Sequence, residues 1–297
     1  MQKGIQESVE AVAFALLNVL SSTQQRCDGT ENRDDLMSVL QLPKGHLSLS
    51  QVREYLACPK RYYAKYVLQR QAPVAQEMYL GGAFHKGQEA YFKETLRGAR
   101  PRVADVSDFF AMFFNQGWPD EEGRENLPDV VEWEQPQAQL FDLGQELSTL
   151  YTEKIGQHLV PMEVEMSFSR KTAGLQVPVV GRIDLVEGTA GTLIDWKVKA
   201  RRFSPNELIS DLQPSFYAFG VGGPVNFSFH LALKTKVPAV EKMPTTRGNG
   251  AIAMVTEIVE GVAQAISKGD FPMNPTPWMC NASCPIWSEC VGKYRSN

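Results

Sequence analysis

The segment GRIDLVEGTAGTLIDWKVK, residues 181–199, constrains the fold more than any other stretch of the chain. Apolar and polar residues alternate on both sides of Gly188-Thr189-Ala190-Gly191, and a period of two marks a strand. A short glycine-bounded connection between two such runs makes an antiparallel hairpin, with Glu187 and Thr192 flanking the loop. Pairing symmetric about that loop sets Asp184 opposite Asp195 and Arg182 opposite Lys197. Ile183, Leu185, Ile194, Trp196 and Val198 then form the other, wholly apolar face, which implies a sheet buried on at least one side.

Two carboxylates opposed across a strand pair sit about 5 Å apart and repel each other. Two readings account for them. Either Arg182 and Lys197 neutralise them on a solvated face, or their oxygens take a hard divalent cation of the Mg²⁺ or Mn²⁺ class. The second reading explains why Lys197 follows Asp195 at strand spacing. It also suits phosphodiester hydrolysis: a cation polarises the phosphate and lowers the pKa of a bound water, while an ammonium orients that water or offsets growing charge. Among four histidines, His85 is the candidate to complete the ion's ligands, against the commoner role of a packing or hydrogen-bonding residue.

A chain of 297 residues accommodates one large domain with appendages, and no apolar run approaches the roughly 18 residues of a membrane span. Residues 1–46 read as a helical extension, with a helix over Gln6–Leu20. Ser50 is a natural N-cap for a helix through QVREYLACPKRYYAKYVL, interrupted at Pro59. A second helix follows Gly81-Gly82 and carries His85, Gln88, Glu89 and Phe92. Residues from about 100 to 158, aromatic-rich and broken by Pro119, Gly123, Pro128 and Pro136, read as an inserted subdomain of short helices. Strand patterns follow in VEMSF, QVPVVGRIDLVE and TLIDWKVK. NELISDLQPSFYAFG reads as one helix, VNFSFHLALKTK as another strand, and a long helix from about Gly250 to Lys268 precedes the tail.

Cys58 stands alone, whereas Cys280, Cys284 and Cys290 crowd into PWMCNASCPIWSEC. With no recognisable export signal, the expected setting is a reducing cytoplasm, where clustered cysteines ligate metal rather than pair. A one-plus-three division across the domain suits a [4Fe-4S] cluster better than zinc, whose sites commonly use paired C-x-x-C knuckles. Unligated buried thiols are the remaining alternative. Such a clasp closes a very long loop, which makes its purpose structural. Cys27 lies in a polar stretch without a cysteine neighbour and is left out of it.

Taken in order, these motifs resemble RecB-like nucleases of the PD-(D/E)XK superfamily. The resemblance is to the four-cysteine iron–sulfur branch that includes CRISPR-associated RecB-like exonucleases and the nuclease domain of AddB. LSLSQVREYLACPKRYYAKYV resembles the opening segment with the first cluster cysteine, Cys58. LGGAFHKG resembles the helix bearing the metal-binding histidine, His85, and VEMSF the strand before the hairpin, with Glu165 in the acidic position. GRIDLV and IDWKVK supply Asp184, Asp195 and Lys197. DLQPSFYAFG resembles the Gln-x-x-x-Tyr helix, through Gln213 and Tyr217. Two departures stand out: three residues separate Cys280 from Cys284 where relatives leave two, and Pro214 directly follows Gln213.

The resemblance runs from about Leu47 to Cys290 and implies an α/β, restriction-endonuclease-like core in residues 47–297, with a mixed central sheet flanked by helices. It further implies a Mg²⁺- or Mn²⁺-dependent DNA exonuclease preferring single strands or ends. His85, Asp184 and Asp195 would hold the ion, with Glu165 as a further acidic ligand. Lys197 would assist the attacking water, Gln213 and Tyr217 would position substrate, and Cys58, Cys280, Cys284 and Cys290 would hold the cluster. The rival reading is a catalytically inactive iron–sulfur or zinc module that binds DNA or serves assembly.

The net charge of −4 argues against a protein that coats nucleic acid by bulk charge. It leaves local basic patches: Lys60, Arg61 and Lys65; Lys197, Lys199, Arg201 and Arg202; Lys234 and Lys236. Tyr62, Tyr63, Trp118 and Trp133 are available to stack on unpaired bases, with core packing as the alternative. The expected partner is DNA, with recombination or repair proteins and further copies of the chain as additional ones. The expected location is the cytoplasm of a bacterial, archaeal or phage-infected cell, with no membrane association.

Overall fold

A computed structural model describes residues 42–70, 73–119, 125–175, 177–188, 191–276, 280–281 and 284–295. The expected helix over residues 6–20 and Cys27 lie outside the described residues. Strands β1 (Leu47–Ser48), β2 (Pro161–Arg170), β3 (Val179–Glu187), β4 (Thr192–Lys199), β5 (Val225–Leu233) and β6 (Ala239–Arg247) form one mixed sheet. Along one side, β3 pairs antiparallel with β2. On its other side it meets β1, parallel, at Val179 and Val180, and β4, antiparallel, from Leu185 to Glu187. β4 and β5 run parallel, and β5 and β6 antiparallel. β6 is hidden from the sequence because Pro244 falls within it. It lies at the edge of the sheet, the position where a strand tolerates a missing N–H.

Helices α1 (Leu49–Ala57), α2 (Pro59–Tyr62), α3 (Gln76–Leu96), α4 (Asp105–Gln116), α5 (Gln137–Lys154), α6 (Pro205–Ser210), α7 (Leu212–Val221) and α8 (Asn249–Ser267) surround the sheet. On one face, Val52 of α1, Phe216 and Phe219 of α7 and Val255 and Val259 of α8 join Phe227, Phe229 and Leu231 of β5 in a first core. On the other, Phe84 and Phe92 of α3, Val106 of α4 and Leu147 and Tyr151 of α5 meet Leu185, Ile194 and Trp196 in a second. The stretch read as an insertion of short helices therefore supplies α4 and α5, which share the core of the sheet itself. By length and composition α8 is apolar enough to cross a membrane, but Val255, Val259, Val262, Ala263 and Ile266 are buried in the first core.

Local chemistry sets the helix ends. Ser48 rather than Ser50 caps α1, its Oγ accepting from the Gln51 N–H. Cys58 adopts extended backbone, and α2 restarts with Pro59 at its first position, where the missing N–H has no partner to lose. α3 runs through Gly81-Gly82 instead of starting after them. Gly82 is there for close approach: an added Cβ would lie 2.3 Å from Trp118 Cζ2. NELISDLQPSFYAFG forms two helices rather than one, because Asp211 leaves helical geometry and caps α7 through the Gln213 N–H at 2.8 Å. Pro214 then falls in the first turn of α7, where proline is accommodated.

Candidate active site

The hairpin keeps its expected register from Glu187–Thr192 to Leu185–Ile194 and stops there. Beyond that point β3 and β4 are no longer paired, so neither Asp184 with Asp195 nor Arg182 with Lys197 forms a ladder pair. Asp184 Oδ2 accepts the Trp196 backbone N–H at 2.9 Å, replacing a strand bond with a side chain. The face of the sheet changes at the same place. Ile183 and Met166 belong to the first core, whereas Leu185 belongs to the second and Val164 packs against it, so Ile183 does not share an apolar face with Leu185. The break coincides with Glu165, whose φ of 58° is left-handed in a non-glycine residue. Such backbone costs about 1–3 kcal/mol and recurs at functional sites.

α3 and α7 deliver their side chains to the opening this creates. His85 Nδ1 lies 3.2 Å from Asp184 Oδ2, and Lys197 Nζ lies 2.5 Å from Asp195 Oδ2. From the first turn of α7, Gln213 Nε2 donates to Asp195 Oδ1 and, at 2.9 Å, to the Tyr217 hydroxyl. That hydroxyl, one helical turn on, donates to the Arg182 carbonyl at 2.7 Å. His85, Asp184, Asp195, Lys197, Gln213 and Tyr217 all line one cleft of about 1030 Å³. Arg53, Arg61 and Lys65, from α1, α2 and the turn after them, line it as well. The acids thus face a common space.

Their environments differ. Burial, the largest effect, opposes ionisation of Asp184, but His85, Lys197 and the Trp196 N–H together outweigh it and hold the carboxyl below its ordinary range. At Asp195, only 1% exposed, burial prevails over Lys197 and, with the charge of Asp184, lifts the pKa to about 6. Burial likewise disfavours a charged His85, and Asp184 overcomes it, raising the imidazole pKa. Two acids pushed apart in pKa within one cleft are typical of catalytic centres.

Glu165 is not among the residues lining the cleft. Its Oε2 lies 2.5 Å from Arg182 Nε, and burial followed by the charge of Glu89 raises its pKa to about 7. Gln213 and Tyr217, expected to position substrate, are 5% and 4% exposed and hold Asp195 and the β3 backbone. Trp196, expected only as a member of the apolar face, anchors Asp184. The anchor is its backbone N–H, which no side-chain pattern in the sequence signals, while its indole N–H is satisfied by Tyr151. Tyr62 is fully buried against Phe271, and Trp118 and Trp133 pack around Tyr79, so these three rings are occupied by packing. Tyr63 also packs on Phe271.

In kind, two carboxylates, an imidazole and open space for water fit an ion of the Mg²⁺ or Mn²⁺ class. Among the described residues, no three His, Cys, Asp or Glu side chains are grouped as ligands of a single ion. His85 and Asp184 lie side by side at 3.2 Å, while Asp195 is engaged by Lys197. The cysteines occupy a separate place. Cys58, Cys280, Cys284 and Cys290 line a cavity of about 20 Å³ with Lys60, Arg61 and Asn274, and none forms a disulfide. Four thiols around one cavity match the donors of a thiolate site in kind, though they are not gathered about one ion. The tail is also tied by hydrogen bonds: Tyr55 Oη donates to the Asp270 carbonyl at 2.6 Å, and Asn274 Nδ2 to the Ala57 carbonyl at 3.0 Å.

A family model described as the PD-(D/E)XK nuclease superfamily matches residues 46–291. No curated protein matches the chain. Among solved structures, a protein of Eubacterium rectale provisionally described as an exonuclease is 11% identical, with 85% of this chain and 93% of that one covered and a TM-score of 0.50. A second, SSO0001, is 12% identical, with 94% and 96% covered, at a TM-score of 0.37 that carries no argument. At such identities the first likeness concerns the fold alone.

Proposed function

This chain belongs to the PD-(D/E)XK nuclease superfamily, and from that premise we propose that it hydrolyses DNA in the cleft between α1, α3 and α7, as a Mg²⁺- or Mn²⁺-dependent exonuclease acting on single strands or ends. The observation that carries the reading is the parting of β3 from β4, which opens Asp184, Asp195, His85 and Lys197 onto one cleft. Preference for free ends rests on the motif resemblance and on the provisional description of the Eubacterium rectale protein.

In this reading His85, Asp184 and Asp195 hold the ion. Once bound, it would supply a polarised phosphate and a water of lowered pKa. Lys197 sets a positive charge beside Asp195, where it can orient that water or offset charge developing on the phosphate. Gln213 and Tyr217 fix the Asp195 carboxylate, and Arg53, Arg61 and Lys65 attract the phosphate backbone along the cleft wall. Cys58, Cys280, Cys284 and Cys290 hold an iron–sulfur cluster that fastens the tail to α2.

The test is incubation of end-labelled linear and circular single-stranded DNA with Mn²⁺. Linear DNA is expected to be degraded and circular DNA to survive, with Asp184→Ala and Lys197→Ala slower by at least about 10²-fold. Full cleavage by either variant would remove these assignments. Binding without breakdown by the unaltered protein would leave a DNA-binding module instead. Iron and sulfide analysis after anaerobic purification tests the cluster, and a colourless zinc protein would overturn it.

A further inference from the structure

One buried network beside the cleft has no part in that mechanism. Trp196 is fully buried, and its indole Nε1–H donates to the Tyr151 hydroxyl at 2.8 Å. The Tyr151 hydroxyl lies 2.8 Å from His230 Nδ1. The indole can only donate, so the Tyr151 hydroxyl accepts from it, and the direction of the Tyr151–His230 bond follows the imidazole tautomer. Burial, helped by Lys242, keeps that imidazole uncharged by lowering its pKa to about 3. A polar chain of this kind does more than fill space, because each of its buried polar groups has a defined partner. Satisfied buried networks fix one arrangement of their members.

The arrangement fixed here includes both donors of the metal pair. The Trp196 backbone N–H holds Asp184 Oδ2 at 2.9 Å, and its ring meets the His85 ring edge-on, centroids 5.9 Å apart. The next residue on α5 grips the helix that carries His85. Thr152 Oγ1 donates to Gln88 Oε1 at 3.1 Å, and Gln88 Nε2 donates back to the Ser148 carbonyl at 3.3 Å. Gln88 lies one turn beyond His85 on α3. Consecutive residues of α5 thus hold the two elements whose separation is the 3.2 Å between His85 and Asp184.

We propose that α5 is a positioning strut for the catalytic centre: Tyr151, through Trp196, sets Asp184, and Thr152, through Gln88, sets His85. This rests on the metal-dependent reading above. Neither residue touches the reacting atoms. Both are positioning residues, and the hydroxyl groups are the parts that matter.

The test compares full-length Tyr151→Phe and Thr152→Val with Tyr79→Phe. Tyr79→Phe deletes a buried hydroxyl from α3 that donates to the Phe114 carbonyl at 2.8 Å, away from the cleft. Mn²⁺ binding without DNA is followed by electron paramagnetic resonance. Tyr151→Phe and Thr152→Val are expected to bind up to about 10-fold more weakly, the lower end of the scale for removing a direct partner of a metal ligand because each acts through one further residue, while Tyr79→Phe binds as the unaltered protein does. Nitrogen-resolved imidazole spectra of the metal-free proteins should show the His85 resonances displaced in the first two variants alone. Unchanged affinity and unchanged His85 resonances in Tyr151→Phe and Thr152→Val overturn the proposal, as do equal effects in Tyr79→Phe. If the unaltered protein binds no Mn²⁺, or Asp184→Ala binds it equally well, the metal-dependent reading fails, and the imidazole spectra still decide the positioning claim.

Discussion

Gln213 illustrates how a residue can be singled out in the sequence while its contacts are not legible there. Its place in a Gln-x-x-x-Tyr pattern suggested contact with substrate, yet its amide nitrogen is committed to Asp195 and Tyr217. Its Oε1 accepts no hydrogen bond among the described residues. Removing the amide leaves a buried carboxylate short of a donor, a loss of about 1–3 kcal/mol if it is felt mainly in the transition state. Gln213→Ala is therefore expected to lower kcat about 10- to 100-fold with little change in KM for a single-stranded oligonucleotide. A raised KM with kcat intact would return Gln213 to substrate binding. Asp184, Asp195 and Lys197 were legible because one alternating segment carries all three. The side-chain bonds that redirect Gln213 span 18 residues of sequence or involve a helix start, and no local pattern encodes them.

His230 makes a second residue-level test, this one of stability. Its folded pKa of about 3 lies below its ordinary value of 6.5, so between those limits the unfolded chain binds the extra proton. Its contribution is intact above pH 6.5 and is lost as pH falls toward 3. In urea titrations between pH 6 and pH 4, the stability difference between the unaltered protein and His230→Asn should change by about 1.4 kcal/mol per pH unit. A difference independent of pH would show that His230 is not held neutral in the fold.

Among the elements, the helical layer of α3, α4 and α5 depends on close approach. An added Cβ on Gly144 of α5 would lie 2.1 Å from Cζ of Phe110, a fully buried ring of α4. Helix propensity alone makes Gly→Ala favourable by about 1 kcal/mol. Here overpacking should prevail, and Gly144→Ala is expected to destabilise the protein by about 1–3 kcal/mol in denaturant unfolding. The same logic explains which elements the sequence revealed. β3 and β4 were readable as strands flanking a glycine-bounded loop, but the switch of face between Ile183 and Leu185 was not. Gly81-Gly82 looked like a helix boundary because the need for Gly82, a tryptophan seated against it, is tertiary. Pro244 concealed β6, and Asp211 split α6 from α7 by a cap that looks like any polar helical residue.

For the molecule as a whole, the important closure is between α1–α2 and the tail. Cys58 and Cys280 lie 222 residues apart in sequence and line one cavity. Lengthening a loop adds to its closure entropy only slowly, so a clasp across the whole domain remains an efficient cross-link. If the proposed cluster is present, Cys284→Ser is expected to lower the melting temperature and the iron content together, while the cleft acids are untouched. Loss of iron with an unchanged melting temperature would separate the cluster from any structural duty.

Tyr55 and Ala57 accept or donate to Asp270 and Asn274, so the wall bearing Arg53, Arg61 and Lys65 leans on chain made more than 200 residues later. On the ribosome, β3, β4 and their acids emerge well before that support does. A nascent chain halted before residue 270 would thus carry Asp184, Asp195 and Lys197 without the contacts that brace the opposite wall of the cleft.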